Sequence, residues 1–389
     1  MQTKIPRNVV VMGIVSFFND VASEMIYPVV PLFLTTVIGA PIAAIGIIEG
    51  IAEATAAFLK IASGWISDKV HKRKAFVVFG YSLATAGKVL IGFANSAGLV
   101  LAGRFLDKVG KGTRTTPRDA LIAESVPKGM EGTAFGFHRA LDTAGAIFGP
   151  LIAVALIAAL HENLRPIFFI ASVPALIGIV FLVMFVEERP KQKDDDSKII
   201  TWNWSLADAR LKLFLVVTIL FSLGNSSDAF LILRAKNLGL STTLAILAYA
   251  FFSAVYAGVS YPAGKLADKI GPRKILQTAF VIFAITYTTL GLVHTSWSVW
   301  ILFPLYGMFM GLTDGIGQAY ISELVPRHLV ATALGMYQAS IGFSVLIASI
   351  VAGFTWEFIG PQTPFLIGGT TAAIAAVVFF IGSRKTQAI

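Results

Sequence analysis

The sequence predicts an all-α membrane protein in which twelve transmembrane helices form two pseudo-symmetric six-helix bundles. Three observations support this fold class. Of the 389 residues, 56% are hydrophobic and only 14% are charged, whereas about a quarter of the residues in a soluble domain are charged. The apolar residues recur in stretches close to the ~20 residues that a membrane-spanning helix needs. Two polar motifs occur twice, at a separation of about half the chain.

The candidate spans fall into two sets of six, with one long polar stretch between the sets. The first set is 8–33, 42–66, 75–95, 97–115, 132–159 and 166–186. The second set is 210–233, 243–266, 275–294, 298–318, 332–354 and 364–383. Several spans contain glycine or proline, such as Pro28 and Pro31 in the first span. Membrane helices tolerate these residues because neighbouring helices and side chains satisfy the freed backbone groups.

The polar stretch divides the chain into three predicted parts. Residues 1–187 form an N-terminal six-helix bundle, 188–209 form a cytoplasmic linker, and 210–389 form a C-terminal six-helix bundle. The linker is rich in lysine and aspartate, as is typical of a flexible tether. This interpretation also allows a short interfacial helix after Trp202 and Trp204.

Lysine and arginine are concentrated in the loops that face the cytoplasm if the N-terminus is inside, including the basic segment 111–128. This bias predicts two cytoplasmic termini and places Arg165, Arg234 and Lys236 near the outer face. It also accounts for the net charge of +9 without nucleic acid as a partner. We therefore expect a multi-pass protein in the lipid bilayer of the bacterial cytoplasmic (inner) membrane. The absence of cysteine excludes a disulfide scaffold and thiolate metal sites.

Two pairs of segments match in register between the halves. Residues 64–74 read Gly-Trp-Ile-Ser-Asp-Lys-Val-His-Lys-Arg-Lys, and 264–274 read Gly-Lys-Leu-Ala-Asp-Lys-Ile-Gly-Pro-Arg-Lys. The second pair is Glu-Ser-Val-Pro at 124–127 and Glu-Leu-Val-Pro at 323–326. Polar matches at nearly the same offset, 200 and 199 residues, indicate duplication of a helix bundle, which is typical of secondary transporters.

The motif Gly-x-x-x-Asp-Lys-x-x-x-Arg, after the second span of each half, resembles a loop motif of the major facilitator superfamily. The resemblance extends over the whole chain, with His71 and Pro272 as departures from the motif. It implies the fold of that family and transport by alternating access. In the family the acid and its basic partners latch the two halves on the cytoplasmic side. The residues carrying that gating role here would be Gly64, Asp68, Lys69, Arg73, Gly264, Asp268, Lys269 and Arg273. For the lysines and arginines, a basic loop that only sets the topology is the alternative.

A second motif, in the fifth span, resembles the signature of the drug/proton antiporter branch. It consists of Gly145, Gly149 and Pro150. The resemblance implies exchange of a substrate against protons. Ordinary packing of small residues against a neighbouring helix is the alternative.

Ionisable residues within the predicted spans are concentrated in the first half of the chain. A charge at mid-membrane costs ~2.5–3.5 kcal/mol, so retained charges mark function or pairing. Asp20 and Glu24 are four residues apart and share one helix face. Arg104 resembles the basic residue of the family's fourth-helix motif, which implies that it communicates with an acid on the first helix. We predict that Asp20, Glu24 and Arg104 couple transport to protons, with a structural ion-pair network as the alternative.

The predicted substrate cavity combines the other polar residues of the spans. Its candidates are Asn19, Tyr27, Glu49, Glu53, Lys88, Lys108, His138, Arg139, Asp142, Asn225 and Asp228. His138 and Asp142 are one turn apart, which suits packing, proton handling or metal binding, and we predict no dedicated metal site. For Asn225 and Asp228, plain interhelical hydrogen bonding is the alternative.

The predicted function is secondary active transport of a small molecule by alternating access, as export in exchange for protons. Proton-coupled import of a small organic solute and efflux of a divalent metal are the alternatives. We expect a monomer without cofactors. No nucleophile–base pair supports an enzyme, and the segment 111–119 lacks the Gly-Lys-Ser/Thr arrangement of an ATPase phosphate loop. Because the buried charges are concentrated in the N-terminal half, we expect that half to supply the proton-coupling residues. We expect the C-terminal half to contribute mostly the wall of the substrate cavity.

Overall fold

The computed structural model of the chain describes residues 5–70, 72–126, 130–188, 208–326 and 329–385. Every regular element in these residues is helical. The predicted linker, 188–209, lies outside the described residues except at its two ends, and so does the helix expected after Trp202 and Trp204.

Seven helices precede the linker and eight follow it within the described chain. The first group is α1 (Arg7–Ile26), α2 (Val29–Thr36), α3 (Ile42–Val70), α4 (Arg73–Phe93), α5 (Ala97–Glu124), α6 (Glu131–Ala159) and α7 (Arg165–Phe185). The second group is α8 (Ala209–Ser222), α9 (Ala229–Asn237), α10 (Thr242–Ile270), α11 (Pro272–Leu292), α12 (Val299–Thr313), α13 (Ile316–Leu324), α14 (Val330–Phe358) and α15 (Thr363–Lys385). A short 3₁₀ helix, Ser296–Ser298, precedes α12.

The described residues form two compact units. Unit 1 comprises 5–40, 51–188 and 242–247. Unit 2 comprises 41–50, 208–241 and 248–385. The predicted domain boundaries stay a prediction.

Ten helical segments of the described chain are long and apolar enough to cross a membrane. They coincide with ten of the twelve predicted spans. The other two predicted spans are helical but more polar, since α5 contains many charged residues and a polar segment separates α8 from α9. The prediction of an all-α membrane protein is confirmed.

Three predicted spans are interrupted rather than continuous. The first span breaks between α1 and α2, where Pro28 has no backbone N–H to donate to the helix. The seventh breaks at residues 223–228, between α8 and α9. The tenth breaks at Asp314 and Gly315, and Gly315 has a φ of +79°, a left-handed conformation that favours glycine. These breaks place polar backbone and side-chain groups inside the helical bundles.

The fourth span was predicted to end at residue 115 and to continue as a basic loop, and this is wrong. Helix α5 continues to Glu124 through Pro117. The side chain of Arg114 is buried, and its guanidinium lies 4.4 Å from the centroid of the Tyr81 ring. The cations that suggested a loop are therefore part of a helix, where a carboxylate or an aromatic ring can offset each charge.

Helices α4 and α5 pack at backbone-to-backbone distance. A Cβ atom added at Gly80 would lie 2.6 Å from the carbonyl oxygen of Gly110. A Cβ added at Gly87 would lie 2.8 Å from the backbone nitrogen of Asp107. Small residues allow such close approach, which van der Waals packing then stabilises. This contact brings the polar side chains of the two helices together.

Helix α7 has one buried face and one exposed apolar face. Val173, Leu176, Val180 and Met184 are all more than half exposed and recur with helical spacing. A soluble protein rarely exposes such a stripe, so this face suits contact with lipid acyl chains.

Polar groups close the ends of several helices. Arg165 Nη1 donates to the carbonyl oxygens of Gly92 and Ala94, at 2.8 and 2.7 Å, at the C-terminus of α4. At the start of α8, the carboxylate of Asp208 accepts from the backbone N–H of Arg210 at 2.7 Å. The Arg210 side chain also donates to Asp208, and this hydrogen bond lowers the pKa of the Asp208 carboxyl.

Candidate functional site

The glycines of the fifth-span motif bring α6 against the acidic face of α1. A Cβ added at Gly145 would lie 2.9 Å from the Cβ of Asp20. A Cβ added at Gly149 would lie 2.7 Å from the Cβ of Glu24. Pro150 follows within α6. The small-residue motif and the pair of acids, which are far apart in the sequence, therefore form one helix contact inside unit 1.

Asp20 and Asp142 form a carboxyl pair across this contact. Their carboxyl groups lie close enough to share a hydrogen bond when one of them is protonated. The hydroxyl of Ser16 donates to Asp142 Oδ1 at 2.9 Å, and Arg118 Nη1 donates to Ser16 Oγ at 3.1 Å. Arg139 Nη1 lies 3.7 Å from Asp142 Oδ2. Two carboxyl groups hydrogen-bond to each other only when one of them carries a proton, so the pair can hold a single proton between α1 and α6.

A buried ion-pair cluster joins α4 to α5. Lys88 Nζ lies 2.7 Å from Asp107 Oδ1, and Arg104 Nη1 lies 3.6 Å from Asp107 Oδ2. The side chains of Lys88 and Arg104 are only 1% and 2% exposed. The Arg104 guanidinium also lies 5.5 Å from the centroid of the Tyr27 ring. The structure therefore brings Arg104 together with an acid of its own helix, and its pairing with an acid of α1 stays a prediction.

The carboxylate of Glu53, on α3, pairs with Lys108 and interacts electrostatically with two further lysines. Lys108 Nζ lies 2.5 Å from Glu53 Oε1. Lys111 also acts electrostatically on Glu53, and Glu53 acts on Lys60. The other strong electrostatic neighbours of Lys60 are Lys108, Lys111 and Arg118, all of them cations. This face of α3 and α5 therefore has an excess of positive charge.

The remaining predicted cavity residues of the first half lie in different environments. Asn19 is buried, and its amide donates to the carbonyl oxygen of Val15 within α1 at 3.0 Å. His138 is also buried, and its Nε2 has no hydrogen-bond partner among the described residues. Glu49 is buried on the part of α3 that belongs to unit 2. Arg139, by contrast, is exposed, with 58% of its side chain accessible.

Asn225 and Asp228 lie in the break between α8 and α9 and share one partner. The hydroxyl of Tyr306, on α12, donates to Asp228 Oδ1 at 2.6 Å and lies 3.5 Å from Asn225 Oδ1. The backbone N–H of Ser227 donates to Ser349 Oγ, on α14, at 3.1 Å. The interrupted helix is therefore held by side chains of two other helices.

Unit 2 also contains an open cavity of about 290 Å³, called the unit 2 cavity below. Its apolar lining comprises Phe214, Phe221, Tyr256, Leu276, Phe280, Phe309, Met310, Gly315, Tyr337 and Ile341. Its polar lining comprises Thr218, Ser222, Asn225, Thr313, Asp314, Gln318 and Gln338. Of the predicted cavity residues, Asn225 therefore lines it. Asp314 is the single charged residue of the described lining.

The first gating motif spans the end of α3 and the start of α4. A Cβ added at Gly64 would lie 2.7 Å from Thr116 Cγ2, so this position needs glycine. Lys69 Nζ lies 3.7 Å from the centroid of the Trp65 ring. Arg73 Nη2 lies 3.1 Å from Glu124 Oε1, which links this motif to the second repeated motif. His71 and the side chain of Asp68 lie outside what the structure describes.

The second gating motif is less tightly packed. A Cβ added at Gly264 would meet no described atom within 4 Å. Asp268 and Lys269 are exposed at the end of α10. Arg273 Nη1 donates to the carbonyl oxygen of Ser383, on α15, at 3.3 Å. The two copies of the motif therefore have different neighbours within their own units.

Several residues of these clusters were not among the predicted site residues. Asp107 is three residues after Arg104, and that spacing could have identified it. Arg118 was assigned to a loop, so its contact with Ser16 could not be anticipated. Asp314 stands beside the positive-φ glycine that interrupts the tenth span, and only the cavity gives it a role.

Both the sequence and the fold have counterparts among known proteins. The sequence matches the Major Facilitator Superfamily over residues 12–233 and 213–388. The chain belongs to the Major Facilitator Superfamily. This finding confirms the resemblance that the gating motifs indicated. As a member of this superfamily, the chain is a multi-pass membrane transporter of a small molecule and not an enzyme.

Relatives within the superfamily match most of the chain. An uncharacterized MFS-type transporter of Methanocaldococcus jannaschii, MJ1317, is 36% identical over 96% of this chain and 94% of its own length. Multidrug resistance protein MdtG of Citrobacter koseri is 29% identical over 79% of this chain and 77% of its own length.

Solved structures of superfamily transporters have the same fold. A POT family transporter in complex with 5-aminolevulinic acid superimposes with a TM-score of 0.82 at 14% identity, covering 98% of this chain and 97% of that chain. The nucleoside transporter NupG superimposes with a TM-score of 0.77 at 14% identity, covering 96% of this chain and 98% of that chain. At these identities the likeness concerns the fold alone.

Proposed function

We propose that this transporter exports a small molecule in exchange for protons. The proposal rests on the carboxyl pair of Asp20 and Asp142, which joins α1 to α6 within unit 1. The fifth-span glycines that allow this contact are those that resemble the antiporter signature. The direction of transport is supported by the relatives named for multidrug resistance, because a membrane transporter gives resistance by removing the drug from the cell.

The pair offers a physical route to coupling. With one shared proton, the two carboxyl groups attract and α1 stays closed against α6. Without the proton, two carboxylates would face each other in a partly buried environment, where like charges repel. The helices would then separate or take up a cation. Proton occupancy would thus change the packing of α1 against α6, and any substrate that depends on that packing would be coupled to protons.

Neighbouring residues, predicted or not, take supporting roles in this proposal. Glu24 and Lys111 are electrostatic neighbours of Asp20 and would set how readily the pair takes up its proton. Ser16 and Arg118 hold Asp142 in position. The gating motifs at the ends of α3 and α10 would latch the cytoplasmic side. The chain would work as a monomer, in the inner membrane, with both termini cytoplasmic.

Proteoliposomes that contain the pH-sensitive dye pyranine test the proposal, with the two-ring cation 1-methyl-4-phenylpyridinium as the trial substrate. We expect movement of this cation to be driven by a pH gradient and to move protons in the opposite direction. Asp20→Asn and Asp142→Asn should each reduce gradient-driven movement at least ~10-fold, while exchange of the cation at equal pH continues and reports a folded protein. The exposed Glu187→Gln serves as the matched control and should behave like the wild type. An unchanged response to the pH gradient in both aspartate variants would overturn the coupling role.

A second candidate function is proton-coupled import of an anionic solute. The excess of positive charge near Glu53 favours it, because a carboxylate or sulfonate group of the solute could take the place of Glu53 at Lys108. Addition of external p-toluenesulfonate should then make the outside medium alkaline, whereas exchange would not. No group of three His, Cys, Asp or Glu side chains in the described chain is placed to hold a metal ion, so no observation favours the metal-efflux alternative.

A further inference from the structure

We propose that the unit 2 cavity binds an amphipathic amine, with the protonated amino group against Asp314 and a flat apolar body against the phenylalanines. This inference rests on the proposed export function and names the class of molecule exported. It assigns a binding role to Asp314 and Tyr256.

The apolar side of the cavity is a packed cluster of phenylalanine rings. The centroids of Phe221 and Phe280 are 4.5 Å apart with an interplanar angle of 18°. The centroids of Phe221 and Phe309 are 5.5 Å apart. All three side chains are buried against each other and against neighbouring helices. Because these rings are already fixed, a flat ligand would lose little free energy in ordering them.

The charged side of the cavity is a carboxylate held in one orientation. Asp314 lies where the tenth span breaks, between α12 and α13, and is exposed towards the cavity. The hydroxyl of Tyr256, on α10, donates a hydrogen bond to Asp314 Oδ2. The second tyrosine near this carboxylate is Tyr337, on α14. Helices from three parts of unit 2 therefore place one carboxylate at the edge of an aromatic surface.

The charge of the cavity lining determines which sign of charge a ligand must carry. Asp314 is the one Asp, Glu, Lys or Arg side chain among the described lining residues. A cation would therefore meet an attractive charge, whereas an anion would be repelled. Asn225, Gln318 and Gln338 add amide groups for hydrogen bonds. This combination of an apolar surface and a few convergent polar groups is typical of small-molecule sites.

The volume of the cavity limits the size of the ligand. Small-molecule sites usually measure ~300–1,000 Å³, so a cavity of about 290 Å³ suits a compact molecule of one or two rings. We therefore expect an aryl or bicyclic amine rather than a peptide or a long-chain lipid.

Binding of a matched pair of compounds to the full chain in lipid nanodiscs tests the inference. The amine 1-naphthylmethylamine and the alcohol 1-naphthalenemethanol have the same ring system and nearly the same size, but only the amine is charged at neutral pH. Isothermal titration should give a Kd for the amine at least ~10-fold lower than for the alcohol, because a hydrogen bond to a charged group is stronger than one between neutral groups.

Two variants and one control identify the residues responsible. Asp314→Asn should remove the preference for the amine and leave the affinity for the alcohol within ~2-fold of the wild type. Phe309→Leu should weaken the binding of both compounds by the same factor, because it changes the apolar surface and not the charge. Glu323→Gln is the matched control, since this exposed acid on α13 does not line the cavity.

The possible outcomes separate this inference from the proposed function. Equal affinity of the wild type for amine and alcohol, no binding of either, or a preference that survives in Asp314→Asn would each overturn the inference. These measurements use no pH gradient, so a failure of proton coupling would leave them unchanged. Amine binding without proton exchange in proteoliposomes would overturn the proposed export and not the cavity assignment.

Discussion

Removal of the Asp107 carboxylate is expected to be the most damaging single change within the buried cluster of α4 and α5. Asp107 is the shared partner of Lys88 at 2.7 Å and Arg104 at 3.6 Å. Asp107→Asn therefore leaves two buried cations without their anion. Lys88→Met instead removes one cation and leaves Asp107 paired with Arg104.

The distances set the size of the expected effect. With an effective dielectric constant of ~20, the Coulomb attraction is about 6 kcal/mol for the Lys88 pair and about 5 kcal/mol for the Arg104 pair. Desolvation of the charges offsets much of this attraction, and breaking a buried pair costs ~3–5 kcal/mol in practice. We therefore expect Asp107→Asn to cost ~3–5 kcal/mol, and Lys88→Met to cost ~1 kcal/mol or less, because the apolar replacement needs no desolvation.

Reversible unfolding in mixed micelles with increasing SDS measures these free energies. The double variant Lys88→Met with Asp107→Asn should be more stable than Asp107→Asn alone, because one of the two cations that lost the Asp107 carboxylate is gone. Free energies that add within ~0.5 kcal/mol would show that the two side chains do not interact. A larger cost for Lys88→Met than for Asp107→Asn would also refute the argument.

Two further predictions concern helix packing and a helix end. Gly110→Val should destabilise the α4–α5 contact by several kcal/mol, because an added Cβ at Gly110 would lie 2.7 Å from a backbone nitrogen of α4. Gly98→Val is the control, because an added Cβ at Gly98 meets open space. Thermal melts of both variants check this prediction, and equal melting temperatures would contradict it. Asp208→Ala should weaken the start of α8. Because the pKa of Asp208 is lower in the folded state, the contribution of this carboxylate to the stability of the helix is complete above pH 3.8 and is lost as the pH falls through the lowered pKa. Hydrogen exchange at the first turn of α8 should therefore show faster exchange in Asp208→Ala than in the wild type at neutral pH, and equal rates at neutral pH would rule out the cap.

Predictions from the sequence succeeded for the features that local sequence patterns determine, namely the membrane helices and the family. Apolar stretches of about 20 residues indicate membrane helices, and the duplicated gating motifs are by themselves enough to indicate the family. The prediction failed at α5, where the segment from Lys111 to Glu124 is too polar to resemble a span. In the helix, Arg114 lies against the ring of Tyr81 and Arg118 donates to Ser16 of α1, and no local pattern indicates these contacts.

The candidate site was predicted as a set of residues and not as a set of pairs. Asp20, Asp142, Lys88 and Arg104 were all selected because ionisable groups are costly inside a membrane. The sequence does not show how each helix is rotated about its axis. Small changes in that rotation decide whether Asp20 meets Asp142 or a cation.

The sequence by itself determined that this protein is a two-part helical membrane transporter, because hydropathy and a duplicated polar motif depend on residue order alone. Only the tertiary structure decided that Asp20 meets Asp142, that Lys88 and Arg104 share Asp107, and that Asp314 stands at the edge of an aromatic cavity. The physical reason is that these contacts join helices distant in the chain. They depend on helix rotation and on glycine contacts such as those between α1 and α6, where the absence of a side chain sets the distance between the acids.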